Sequence, residues 1–110
     1  PPNLPDGLDL EIFSREAILF ADKNCEDKAM REHVTQWIRE SGSFNLGCKI
    51  YDNDNSHLRL TVDEYEDLVL IRKIIKDFKC DKDTNWFDVI RILNNNPDLV
   101  KINSKFEFDN

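Results

Sequence analysis

Asp63 stands in Leu58-Arg59-Leu60-Thr61-Val62-Asp63-Glu64-Tyr65-Glu66-Asp67-Leu68, where a short apolar alternation runs into an acidic helix start. A carboxylate at such a junction points toward the carboxyl end of a sheet, where open α/β sheets hold their ligands. A carboxylate there can meet a ligand held in the cleft. Spacing alone gives a plainer reading: Asp63 as a helix N-cap, with Glu66 three residues on as its capping-box partner. The two roles compete, because a carboxylate that accepts from backbone N–H groups has fewer lone pairs for a ligand. Asp6, Asp9 and Glu11 form a second group. Asp9 and Glu11 share one face of an expected strand, where they accept from sugar hydroxyls or simply face water. Arg59 pairs with a carboxylate or approaches a phosphate, the ion pair being the simpler role. Arg31, Glu32 and His33 lie early on an expected helix. Arg31 suits an acidic group, and His33 suits a hydroxyl, a carboxylate or the backbone.

The elements that must position these residues alternate. Pro5-Asp6-Gly7 is turn chemistry, since Pro fixes φ and Gly permits φ > 0. Leu8 to Phe13 alternates apolar and acidic residues, the pattern of a strand with one buried face. Ser14 is a natural N-cap for a helix beginning Arg15 to Ala21. Asn24 to Asp27 is a polar break. A second helix is expected over about Asp27 to Glu40, with Met30, Val34, Trp37 and Ile38 on one face and Gly42 as a left-handed cap. Phe44 to Tyr51 and His57 to Val62 are further strands, separated by the polar turn Asp52 to Asn55. A helix then follows Asp63 with the apolar stripe Leu68, Ile71, Ile75 and Phe78. Arg72, Lys73, Lys76 and Lys79 crowd its end, a solvated face that the helix dipole favours. A helix over Trp86 to Asn94 is capped by Thr84 or Asn85, Pro97 opens one more turn, and Ser104 to Asn110 reads as a tail. Trp37 and Trp86 read as core or interface anchors. The class is α/β, with a short mixed sheet flanked by helices. Three strands leave sheet edges exposed, which favours self-association into a homo-oligomer.

Bulk properties narrow the function. The chain has 110 residues, 40% hydrophobic and 34% charged, with seven Phe, two Trp and two Tyr, which fits one small packed domain. The net charge of −7 repels phosphate backbones, so nucleic-acid binding is not expected. No run approaches the ~18 apolar residues of a membrane span. The Pro-rich start lacks the basic and apolar regions of a signal peptide, which leaves a cytoplasmic protein as the expectation. Cys25, Cys48 and Cys80 lack metal or disulfide spacing and read as reduced thiols.

Four segments together resemble the cytidylyltransferases of the spore-coat polysaccharide and acylneuraminate type, which are sugar nucleotidyltransferases with a glycosyltransferase-A-like fold. They are Pro5-Asp6-Gly7-Leu8-Asp9-Leu10-Glu11, Arg31-Glu32-His33-Val34-Thr35, Leu58 to Leu68, and Asn96-Pro97-Asp98-Leu99 with Ile102-Asn103. Their order is that of the C-terminal half of such enzymes. The resemblance implies that CMP passes from CTP to a sugar hydroxyl with release of pyrophosphate. It implies Mg2+ as cofactor and Asp63 as a metal carboxylate. It also implies a sugar-binding side near Asp6, Asp9, Glu11, Arg31, Glu32, His33 and Arg59. Tyr65 replaces a Pro common in the family, and Gln36-Trp37 replaces Pro with an aromatic. The family's Gly-rich phosphate loop and first metal aspartate belong to its N-terminal half, and the three glycines here form no such loop. The expectation is a chain inactive by itself, or alternatively a non-catalytic binding or assembly module of the same ancestry.

Overall fold

A computed structural model of the chain describes residues 3–106. Its secondary structure is helical: α1 (Arg15–Asn24), α2 (Lys28–Glu32), α3 (Gln36–Glu40), α4 (Tyr65–Phe78), α5 (Trp86–Asn95) and α6 (Pro97–Lys101). This overturns the expected α/β class with its short mixed sheet, and the glycosyltransferase-A-like fold with it. Among the described residues, strand pairing is confined to an isolated parallel bridge between Asp6 and Arg59. The reason lies in what alternation can and cannot do. Leu8 to Phe13 has the period of a strand, yet Leu10 and Ile12 are 81% and 91% exposed. A strand needs a partner to satisfy its backbone groups, and local pattern does not supply one.

The chain divides into two compact units: Leu10–Lys49, and the described residues up to Asp9 together with those from Ile50 onward. In the Leu10–Lys49 unit, α1 begins as expected, with the Ser14 hydroxyl accepting from the Ala17 N–H at 3.1 Å, and it runs on past Ala21 to Asn24. The single helix expected over Asp27 to Glu40 is broken into α2 and α3. Val34 takes φ +54°, a left-handed conformation that no right-handed helix can continue through. Val34 therefore leaves the expected apolar face and is exposed, while Ile38 is buried. Phe20, Trp37 and Phe44 pack their rings together at centroid separations of 5.7–6.2 Å, with Trp37 half-buried. Gly42 has φ +76°, the left-handed turn expected after the helix.

The second unit holds the larger apolar core: Leu58, Leu70, Ile74, Cys80, Ile90, Leu93 and Leu99. α4 starts one residue later than expected. Glu64, not Asp63, is its N-cap, and Asp67, not Glu66, is the acidic residue that reaches back. The buried face is turned as well. Asp67, Leu70 and Ile74 are buried, whereas Ile75 and Phe78 of the expected stripe are 53% and 38% exposed. Asp67, Leu70 and Ile74 fall at i, i+3 and i+7, so the face is chosen by a buried acid that a purely apolar count passes over. α5 is capped by Asn85, whose side chain accepts from Phe87 N–H at 2.9 Å, and Pro97 opens α6. The expected tail Ser104–Asn110 lies partly outside the described residues. Among the described residues no helix is long and apolar enough to cross a membrane.

Candidate functional site

The site is built where two chain segments run side by side. Asp6 N–H donates to Leu58 O at 2.9 Å, and Leu60 N–H donates to Asp6 O at 2.7 Å. Gly7 makes this approach possible. It sits at φ +100°, and a Cβ there would lie 2.5 Å from Thr61 N and 2.7 Å from Leu60 C, so no larger residue fits without moving backbone. The turn chemistry read from Pro5-Asp6-Gly7 is thus realised, and it brings Asp6 beside Arg59.

Arg59 lies at the centre of the site with a side chain only 5% exposed. Its Nε and Nη2 each donate to Asp67 at 2.9 Å, one bond to each carboxylate oxygen. Such a fork is the strongest geometry an arginine offers a carboxylate. Asp67 is fully buried. Its Oδ2 also accepts from Asp63 N–H at 3.1 Å and Glu64 N–H at 2.9 Å, the unpaired amides that open α4. Asn103 completes the network, its Nδ2 donating to Asp67 Oδ1 at 2.8 Å and to Arg59 O at 3.1 Å. Above the guanidinium lies the ring of Phe106, 5.3 Å from Arg59 Cζ to its centroid. The Arg59 bonds, and then those from Asn103 and the two amides, hold the Asp67 carboxyl far below the usual carboxylate range against the opposing effect of burial. Arg59 is raised in turn by its bonds to Asp67, again against burial.

Two further carboxylates face Arg59 at longer range. Asp6 Oδ2 is 3.5 Å from Nη1, and Asp63 Oδ2 is 3.8 Å from Nη2. The Asp63 side chain is 59% exposed and accepts from Thr61 Oγ1–H at 3.4 Å. Its carboxylate is therefore not the helix cap. Its backbone N–H is tied to Asp67 and its Oδ2 is met by Thr61 and Arg59, while the side chain as a whole is exposed and carries no capping bond. One outward carboxylate, with water and phosphate oxygens, is a donor set that Mg2+ accepts. Among the described residues no group of three or more His, Cys, Asp or Glu is placed to hold a metal ion.

Of the residues singled out from the sequence, Asp6, Arg59 and Asp63 come together here. Asp9, in the same unit, is exposed. Glu11, Arg31, Glu32 and His33 belong to the Leu10–Lys49 unit. Glu11 is not on a strand face with Asp9. Its Oε1 accepts from the buried Thr35 hydroxyl at 2.9 Å and from Arg39 Nη1 at 3.1 Å. Arg31 clips the end of α1, donating to Asp22 O at 2.9 Å and Cys25 O at 3.0 Å while pairing with the Asp22 carboxylate. Its pKa is raised by that bond to Asp22. Glu32 and His33 are exposed, at the end of α2. The cysteines are free thiols, as expected, with Cys25 and Cys80 buried.

Sequence reasoning passed over Asp67 and Asn103. Asp67 carries a local signal, since an acid at the third helical position can reach back to the helix start. Asn103 lies 36 residues from Asp67, and nothing near it in the sequence marks its partner.

No protein-family model matches the chain, and no solved structure matches it. An uncharacterized protein of Methanocaldococcus jannaschii is 34% identical over 107 residues, which cover 93% of this chain and 43% of the relative. The chain thus spans less than half the length of the curated relative it matches.

Proposed function

We propose that the chain is part of a cytidylyltransferase that passes CMP from CTP to a sugar hydroxyl and releases pyrophosphate, serving surface polysaccharide synthesis. One observation carries the reading. The Arg59–Asp67–Asn103 network and the Asp6 bridge draw on three of the four resembling segments, Pro5 to Glu11, Leu58 to Leu68 and the one ending at Asn103. Segments far apart in the chain share a resemblance and also share a buried network that ends at Asp63. In this reading Asp63 is the residue that would hold Mg2+, and the ion would supply positive charge against the triphosphate during transfer of CMP and release of pyrophosphate. Asp6 and Asp9 stand on the sugar-binding side within their own unit. Arg59 moves from substrate contact to scaffold, because its two short bonds go to Asp67. The chain spans 43% of its relative, and in this reading the phosphate-binding loop and the first metal aspartate of the family are contributed by the rest of the enzyme.

The test is pyrophosphate release by the full-length protein that carries this chain, supplied with CTP, Mg2+ and a panel of acidic and neutral sugars. The expected result is turnover with CTP that falls at least a hundredfold in Asp63→Asn, with the thermal midpoint unchanged. Turnover that is indifferent to Asp63→Asn overturns the assignment. A second reading, a binding or assembly module, is favoured by the exposure of Leu10 and Ile12. It predicts no turnover in the full-length protein and a concentration-dependent mass in sedimentation.

A further inference from the structure

We infer that Asn103 is a positioning residue that fixes the turn bearing Asp63. The inference stands on the buried network and holds whether or not Asp63 meets a nucleotide. Asp67 accepts five hydrogen bonds, from Arg59 Nε and Asn103 Nδ2 on Oδ1 and from Arg59 Nη2, Asp63 N–H and Glu64 N–H on Oδ2. A carboxylate offers about four lone-pair sites, so this one is saturated and has no freedom to turn. The two oxygens do different work. Oδ2 pins the backbone of Asp63 and Glu64, and so sets where the Asp63 side chain leaves the chain. Oδ1 is the anchor that keeps Oδ2 there.

Without the Asn103 amide, Oδ1 of the fully buried Asp67 keeps only the Arg59 Nε donor, and losing a charge-assisted bond on a buried carboxylate is costly. Turning the carboxylate to share the Arg59 fork differently relieves that cost, and it moves Oδ2 away from the two amides. Asn103 has a second hold on the same place. Its other N–H bonds Arg59 O, on the residue that bridges to Asp6. One amide group, 2% exposed, thereby ties the turn after α6 to two points of the segment that carries Asp63, at Arg59 and at Asp67. A residue that merely filled space would need neither of these bonds.

Three variants of the chain separate donation from packing, read by backbone amide exchange and chemical shift in NMR. Asn103→Asp keeps the size but replaces the donor with an acceptor facing Asp67. Asn103→Ala removes the donor and leaves a hole, and Asn103→Leu removes the donor and fills it. Exchange at Asp63 and Glu64 is expected to rise about ten- to a hundredfold, the scale of a charge-assisted bond, while Leu70 and Ile74 change by less than about threefold. The order expected is Asn103→Asp above Asn103→Ala, with Asn103→Leu close to Asn103→Ala. If Asn103→Asp unfolds, selective acceleration in Asn103→Leu still supports the inference. It is overturned if Asn103→Ala exceeds Asn103→Asp, if Asn103→Leu behaves as native, or if all of α4 accelerates together in Asn103→Ala and Asn103→Leu.

Discussion

Arg59 and Arg39 each meet an acidic partner from elsewhere in their own unit, and the two pairs have opposite surroundings. Arg59–Asp67 is sealed, at 5% and 0% side-chain exposure, whereas Arg39–Glu11 stands open at 50% and 43%. The open pair has good geometry, with the buried Thr35 as a shared third member, yet water competes for the exposed Arg39–Glu11 bond itself. The sealed pair is worth little compared with a packed apolar substitute, but breaking it strands a charge in the interior. The same two residue types thus serve as surface trim in one unit and as the fixed centre of the other. The lesson is that the candidate site owes its rigidity to desolvation more than to charge.

The sharpest way to break this comparison is Asp67→Ala. It should cost about 3–5 kcal/mol by taking the two short bonds of the fork away from a buried guanidinium, seen as early loss of amide protection in α4 and α5 during urea titration while α1 holds. A cost under about 1 kcal/mol would make the two pairs equivalent. Core packing gives the next effect: Leu93→Ala should cost about 2–5 kcal/mol, read from the same titration. Acid comes next. The Asp67 carboxyl is held low in the folded chain, so its share of stability is complete above the unfolded value of about 4 and is lost as pH falls below it. Urea midpoints measured from pH 6 down to 2 should therefore drop more steeply in the native chain than in Asp67→Asn. Parallel profiles would remove Asp67 as the cause. Ser14→Ala should cost about 1 kcal/mol through loss of the α1 cap. Smallest of all, Glu11→Gln should change stability by less than about 1 kcal/mol and become neutral in high salt. A larger loss there would mean that the open pair is not trim.

How much of this was legible beforehand differs residue by residue. Ser14, Asn85, Pro97 and Gly42 act through neighbours a few positions away, and each does what its type predicts. Gly7 was legible as a turn glycine, but the backbone it must admit, at Leu60 and Thr61, is more than fifty positions on. The helix over Asp27 to Glu40 failed at Val34, because side-chain periodicity carries no record of a backbone forced into a left-handed turn. The strands failed because pairing is a property of two segments. α4 was recognised but turned the wrong way, since an acid on its buried face looks polar until Arg59 is beside it.

The sequence by itself determined part of the local grammar: the starts of the helices at Ser14, Asn85 and Pro97, the turns at Gly7 and Gly42, and the standing of Asp63 beside a helix start. It determined these because propensity, capping and turn chemistry act over a few residues. Only the tertiary structure decided that Asp67 takes the capping work from Asp63, that Arg59 is buried against it, and that Asn103 closes the network. Those choices depend on removing charges from water, and water is excluded only when segments distant in the chain close around the same point.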